Sequence, residues 1–356
     1  MVATRDQPRV SVVMTVFDGD AYLQTALDSI LAQTFTDFEL IVVDDGSADR
    51  SGEILAEAAA LDPRIVVLTN PTNRGQTASL NRGLAVARGT LIARQDADDL
   101  SAPERLFRQV TYFDGRPEVG LLGTAYHEID AAGRRLATHY PPASDTGIRA
   151  QMLFHNALCH TAVMVRQTAL DREPQGYDES MAFSQDVDLW TRLMRHTQAA
   201  NLQVPLVSLR KHAQNVSVRH APHQQHIATV IARRQIRELA PALRLSEPQV
   251  QSLRDWYGGV SPQIPGARLH LCHMYFDLLD ALARRPNADA TVIAQHRRYH
   301  IRTLLGHVTT AQLTGLVTSG VLWRMISADP VATAQAVRAR LARRVRTALG
   351  GEGAGS

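Results

Sequence analysis

The chain has 356 residues, 45% of them apolar and 21% charged, enough for a sizeable core and for one large domain with a smaller one beside it. A formal net charge of +3 over this length is no nucleic-acid signature, and two distant cysteines, Cys159 and Cys272, imply neither a disulfide framework nor a structural zinc site. The opening MVATRDQPRV lacks a long apolar leader, and no stretch approaches the roughly 20 apolar residues that span a bilayer; the expectation is a cytoplasmic protein in a reducing compartment, soluble or bound at a membrane periphery.

In chain order, VSVVMTVF (Val10 to Phe17) is a β-branched run of the kind buried on both faces of a sheet, and Ala21 to Gln33 carries apolar residues at helical spacing. The βα pattern then repeats. ELIVVDD reads as a strand, Ser51 to Leu61 as a helix, RIVVLTN as a strand, QTASLNRGLAVA as a helix and TLIARQ as a strand. Four strands alternating with helices predict a doubly wound, mostly parallel α/β sheet. Such sheets bind ligands at the carboxyl ends of their strands. Asp18, Asp44, Asp45 and the cluster Asp96, Asp98 and Asp99 all fall at or just beyond those ends.

Carboxylates crowded on one rim repel a phosphorylated ligand unless a hard divalent cation lies between them. Mg²⁺ and Mn²⁺ are held by one or two carboxylates together with substrate phosphates, which the run DADD fits. The competing reading makes Asp98 or Asp99 a cap for a helix starting near Ala102 and Pro103, a task Ser101 could also perform. DDGSADRSG admits a similar reading as a polar turn, which leaves the paired Asp44 and Asp45 unexplained. Neither GxGxxG nor GxxxxGK[ST] follows the first strand, so dinucleotide-type and P-loop phosphate binding are not expected. Arg74 and Arg82 either add positive charge near the phosphates or stand as solvated surface arginines.

The segments running from VSVVMTVFDGDAY to DDGSADRS, then NRGQTASLNRGLAVARGTLIARQDADD, GYDESMAFSQDVDLWTRL and LRKHAQNVS, resemble the family 2 glycosyltransferases, inverting enzymes of the GT-A fold, over roughly residues 8 to 220. The resemblance implies a nucleotide-sugar donor (UDP-, GDP- or dTDP-sugar), a Mg²⁺ or Mn²⁺ ion, and a glycan or lipid-linked glycan acceptor. It would put Thr15 and Asp18 in the nucleotide pocket, Asp45 against the base, Asp96 against the ribose and Asp98 on the metal. Gly176 and Tyr177 would form a loop near the sugar, and His212 would reach metal or pyrophosphate. Asp186 would be the catalytic base, although Gln185 stands before it where the family commonly has Glu.

Inversion needs one in-line displacement, with a base taking the acceptor hydroxyl's proton while the departing diphosphate is stabilised. Asp186 opens the run DVDLWTRLMRH at a helix start, where the dipole favours a carboxylate. Asp188 is the competing carboxylate, and simple capping the alternative for either. Isolated histidines such as His127, His155 and His160 receive no assignment. A nucleotidyltransferase would need a Gly- and Arg-rich phosphate loop, which TVFDGDAY does not offer, and a non-catalytic sugar-nucleotide sensor is the alternative from outside the enzymes.

The expected division is a catalytic domain over 1–219, a helical extension over 220–349 and a disordered tail over 350–356. The extension reads as QQHIATVIARRQIRELA, ARLHLCHMYFDLLDALARR, VIAQHRRYHIRTLLGHV and a last helix from Pro330 to Leu349. The last carries Arg338, Arg340, Arg343, Arg344 and Arg346 opposite an apolar stripe, a pattern suited either to an anionic membrane surface or to docking on its own domain.

Overall fold

The structure, a computed structural model, describes residues 7–212, 221–260, 267–307, 317, 320–331 and 333–338. The chain divides into two compact units, one of residues 1–152 with 156–231 and the other of 153–155 with 232–356.

The first unit is built on a nine-stranded sheet. Strands β1 (Val10–Val16), β2 (Phe38–Asp44), β3 (Ile65–Thr69) and β4 (Leu91–Asp96) form a parallel ladder in the order β3-β2-β1-β4. Helices α1 (Asp20–Leu31), α2 (Ser51–Leu61) and α3 (Gln76–Val86) connect them. Alternate residues of β1 feed two separate cores: Val10, Val12, Met14 and Val16 pack with Leu23, Leu27 and Leu55, whereas Val13 packs with Leu80, Leu189 and Trp190. Both faces of β1 are therefore covered, which is why it is apolar without alternation.

Beyond β4 the sheet turns mixed. Strands β5 (Leu100–Ser101), β6 (Val119–Ile129), β7 (Arg135–His139), β8 (Met164–Arg166) and β9 (Gln198–Arg210) continue the order as β4-β8-β6-β9-β5, with β7 on β6. The antiparallel pairings of β8, β7 and β5 are short, and the long β6/β9 ladder is parallel, so parallel pairing predominates. Helix α4 (Arg105–Asp114) begins with Glu104 at its N-cap, later than the Ala102-Pro103 start that the sequence suggested. Three further helices follow: α5 (Asp145–Met152), α6 (Gln167–Leu170) and α7 (Gln185–Leu193).

The second unit is helical. Helix α8 (Ala221–Leu239) runs into it, followed by α9 (Glu247–Tyr257), α10 (Ala267–Ala283), α11 (Ala290–His307) and α12 (Val321–Ala328). Cys272, Phe276, Ile301 and Met325 form a buried cluster there. Helix α9 escaped the sequence reading although its start is marked by a Ser246/Gln249 capping box. Of the expected helix Pro330 to Leu349, Arg340, Arg343, Arg344 and Arg346 lie outside the described residues, as does the tail 350–356. Among the described residues no helix is long and apolar enough to cross a membrane.

Candidate active site

Strand register brings the first acids together. Thr15 pairs with Asp96 across β1/β4, and Val16 with Asp44 across β1/β2, so these groups share the carboxyl edge of the parallel ladder. Asp45, just past β2, is 3% exposed. Its carboxylate accepts the Arg74 and Gly75 N–H groups, each at 2.9 Å, and the Asn70 side-chain amide at 2.6 Å. Asp45 thus folds the loop 70–75 over the strand ends. The Arg74 guanidinium is exposed, while Arg82 donates to the Asn70 carbonyl. Asp18 sits at φ 47°, and its carboxylate accepts the Ala48 N–H at 2.8 Å while its own N–H donates to the Ser47 hydroxyl at 3.0 Å. The first βα loop is thereby clasped to the second.

The crowded acids of DADD have three different surroundings. Asp96 takes a hydrogen bond from the buried Arg94 guanidinium at 2.5 Å. Asp98 meets His212 Nε2 at 2.9 Å. Asp99, 2% exposed, accepts the Arg210 N–H at 2.7 Å. Burial, then repulsion from Asp96, raises the Asp98 pKa, with His212 opposing them. Burial and the charges of Asp98 and Asp96 push Asp99 well above the usual carboxylate range. Beneath them lies the fully buried Arg105, whose guanidinium donates to Gln95 Oε1, the Ser101 hydroxyl and the Arg94 carbonyl. Burial lowers its pKa to about 10, which still leaves it cationic near neutrality. The capping alternative for Asp98 and Asp99 does not form: α4 starts later, and the Ser101 hydroxyl is spent on Gln95.

A second group gathers at the start of α7. Ser184 precedes that helix in the left-handed region, φ 56°, and Asp186 lies in its first turn. The half-buried Asp186 carboxylate accepts the Asn156 amide at 2.9 Å. The Asn156 carbonyl in turn accepts the Leu158 N–H at 3.1 Å, which fixes the amide with its nitrogen toward Asp186. Asp188 is differently employed. It is 1% exposed and ion-paired to Arg192 at 2.8 Å, and Arg192 also holds Glu173 at 2.9 Å and the Gly176 carbonyl at 2.6 Å. Asp188 therefore belongs to the frame that fixes the Gly176-Tyr177 loop. Gln185 donates to Gln76 Oε1 at 3.0 Å.

His160, unassigned from the sequence, lies between the two groups. Its Nε2 is 3.1 Å from the Tyr177 hydroxyl. Burial and then Arg94 lower its pKa, and the fields of Asp96 and Asp186 oppose them. His160 and Asn156 also line a cleft of about 280 Å³ together with Tyr126, His139, Tyr140 and Gln151. Neither residue stands in a motif: HNALCH mixes polar and apolar residues, and no spacing marks it. His127, by contrast, pairs with Thr138 across the β6/β7 hairpin.

Among the described residues no group of three or more His, Cys, Asp or Glu could hold a metal ion. Asp98 and His212 supply two ligands of the right kind, and a site completed by diphosphate oxygens and water needs no more from the protein. The desolvated Asp98 carboxylate, pressed by Asp96, is one whose ionised form a cation would favour.

The family model described as Glycosyl transferase family 2 matches residues 11–172. EpsE of Bacillus subtilis (strain 168), which carries a glycosyltransferase name, is 36% identical over 208 residues, 57% of this chain and 73% of EpsE. The chain belongs to glycosyl transferase family 2. This glycosyltransferase is also 34% identical over 195 residues to the uncharacterized glycosyltransferase MJ1057 of Methanocaldococcus jannaschii, covering 54% of this chain and 67% of that one. It is 31% identical over 188 residues to the O-antigen biosynthesis glycosyltransferase WbnJ of Escherichia coli, covering 52% and 71%. In fold it is similar to TarS 1–349 of S. aureus, with a TM-score of 0.54 and 17% identity over 80% of this chain and 82% of that one. Structures of that protein hold UDP and UDP-GlcNAc. The glycosyltransferase has the mixed α/β sheet of the GT-A class with a helical C-terminal region.

Proposed function

We propose that this glycosyltransferase moves a sugar from a nucleoside-diphosphate donor to an acceptor hydroxyl with inversion, Asp186 acting as general base. The observation that carries the reading is the Asp186 carboxylate, held by a pre-oriented Asn156 amide in the first turn of α7. A carboxylate oriented in this way can take the proton of an acceptor hydroxyl brought against it.

Donor binding falls to the strand ends. Asp45 and the loop it holds would receive the base, Asp96 the ribose, and Thr15 and Asp18 the rest of the nucleoside, with Arg74 free to meet phosphate. Asp98 and His212 would hold Mn²⁺ or Mg²⁺, the imidazole favouring the former. When bound, such an ion supplies positive charge to the departing diphosphate. UDP is bound in a structure of the fold neighbour TarS; GDP and dTDP donors belong in the same screen. A surface glycan or its lipid-linked precursor is the acceptor that suits a cytoplasmic enzyme, and the WbnJ relative bears an O-antigen biosynthesis name. The Arg-rich segment beyond Pro330 would hold the enzyme at an anionic membrane face, each Arg contributing about 1 kcal/mol. Vesicle flotation of the full chain and of a truncation after Pro330 tests that part.

The test of the main reading is transfer from UDP-, GDP- and dTDP-sugars with Mn²⁺, with the product anomer assigned by NMR. Asp186→Asn should lower turnover by about 10²-fold or more and leave nucleotide affinity near wild type. Undiminished turnover in that variant, or a product of retained configuration, rejects the reading.

A further inference from the structure

The cleft beside Asn156 is separate in character from the acidic strand ends. Among the described residues that line it there is no Lys, Arg, Asp or Glu. Its walls are aromatic and amide: Tyr126 and His139 stack with centroids 4.8 Å apart and planes at 22°, Tyr140 stands 61% exposed at the rim, and Gln151 and Asn156 contribute amides. Two of these side chains are held in place by hydrogen bonds. His139 Nε2 is tied to Glu128 at 3.0 Å, and Gln151 donates to the Asn156 carbonyl of the backbone at 3.3 Å.

Flat aromatic faces and amides without a formal charge match a ring whose C–H face is apolar and whose edge carries hydroxyls. Apart from the imidazoles of His139, already set against Glu128, and of His160, whose pKa burial lowers, they give nothing to neutralise a phosphate or a carboxylate. At about 280 Å³ the cleft lies at the small end of small-molecule sites, the scale of a single sugar unit. One wall is Asn156, whose amide nitrogen lies 2.9 Å from the Asp186 carboxylate.

We infer that this cleft is the acceptor subsite and that it takes a neutral pyranose as the accepting unit, with Tyr140 as the stacking face at its rim. The inference rests on the base role proposed for Asp186. The acceptor oxygen forms the new bond to the anomeric carbon, its proton passes to the Asp186 carboxylate, and the bond from that carbon to the diphosphate oxygen breaks with its electron pair leaving on the diphosphate. His160, on the cleft wall and hydrogen-bonded to Tyr177, stands where donor and acceptor sides join.

The test is saturation-transfer NMR on the full chain with methyl glucopyranoside, methyl galactopyranoside and methyl N-acetylglucosaminide, beside methyl glucuronide and glucose 6-phosphate as charged probes. A neutral glycoside should bind the wild type better than either charged probe. Tyr140→Ala should weaken that binding about tenfold, Tyr140→Phe should restore it, and Leu136→Ala on the same hairpin should leave it unchanged. UDP with Mn²⁺ should titrate alike in all four proteins. Binding by no neutral glycoside, stronger binding of a charged probe, or wild-type affinity in Tyr140→Ala overturns the inference. Asp186→Asn separates the two claims: retained glycoside binding with lost transfer supports both, whereas retained binding with retained transfer rejects the base and leaves the cleft standing.

Discussion

Asp98 and His212 are 114 positions apart in the chain and meet at 2.9 Å, carboxylate oxygen to imidazole Nε2. Strand pairing brings them together. Leu100 and Ser101 pair with Ser208 and Val207, and the Arg210 N–H closes on Asp99, so the end of β9 is drawn down onto DADD. The Arg210 guanidinium packs over the Tyr22 ring at 4.6 Å, and that ring lies 5.1 Å from the His212 imidazole.

If that pair receives a divalent ion, Asp98→Asn should lose at least about tenfold in Mn²⁺-dependent affinity for UDP or GDP while its unfolding midpoint stays near wild type. Chelation with EDTA should bring the wild type to the same weak affinity. His212→Ala should move in the same direction. Calorimetric titration of nucleotide with and without Mn²⁺ reads all three, and metal-independent binding in the wild type would reject the ligand assignment.

Two carboxylates two positions apart in α7 should fail in different ways. Asp186 faces Asn156, and its replacement by Asn should cost turnover with little loss of stability. Asp188 is buried against Arg192, so Asp188→Ala leaves a guanidinium in the interior with only Glu173 to balance it. A loss of about 3 kcal/mol in urea unfolding is expected. Similar unfolding midpoints for the two variants would contradict the division of roles.

The parallel half of the sheet was legible because β1 and β2 are buried on both faces and read as apolar runs, because helices alternate with the strands, and because acids mark where β1, β2 and β4 stop. The other half was not. β8 has three residues and β5 two, too short for any periodicity, and β6 with β9 is set by a partner some 80 residues away. The site divides in the same way. Thr15, Asp45, Asp96 and Asp98 follow from strand ends and motif, whereas Asn156 and His160 acquire their neighbours only when the segment before β8 folds against α7 and the Gly176-Tyr177 loop. Asp188 illustrates the converse: its sequence position equals that of a candidate base, and only burial against Arg192 assigns it to the frame.

At the opposite edge of the sheet, Glu39 accepts the Ser11 hydroxyl at 2.6 Å and the Arg88 guanidinium and N–H. Burial raises its pKa, but these hydrogen bonds and the Arg88 charge outweigh it and hold the carboxyl below its ordinary 4.5. A depressed folded-state pKa means that the contribution is fully present above the unfolded value and is lost as pH falls through the folded one. Stability should therefore decline below about pH 4.5 more steeply in the wild type than in Glu39→Gln, which should be less stable near neutrality. Urea unfolding across that pH range measures it, and parallel acid limbs would remove Glu39 as a contributor.

Loop 70–75 lies over the strand ends proposed to take the nucleotide. Gly46, at φ +77°, follows Asp45 directly, and a Cβ there would lie 2.8 Å from the Thr72 carbonyl carbon and 3.0 Å from the Asn73 nitrogen. Both are backbone atoms of the loop whose N–H groups Asp45 holds, so Gly46→Ala must push that loop away as well as strain its own backbone. Gly75, at φ +89°, has nothing within 4 Å of such a Cβ, so Gly75→Ala bears the conformational strain alone. Each variant should lose about 1–3 kcal/mol from its backbone at positive φ, and Gly75, with ψ 152°, lies in a region that is essentially glycine's own. Gly46→Ala adds the clash with the Thr72-Asn73 backbone to that strain, and it should weaken UDP or GDP binding the more, by tenfold or so, because the clash pushes the whole loop away from Asp45. Thermal unfolding and nucleotide titration of the two variants together decide the point: equal nucleotide affinities in both would mean that the loop yields without disturbing Asp45, and would reject Asp45 as the group through which this loop shapes the proposed nucleotide site.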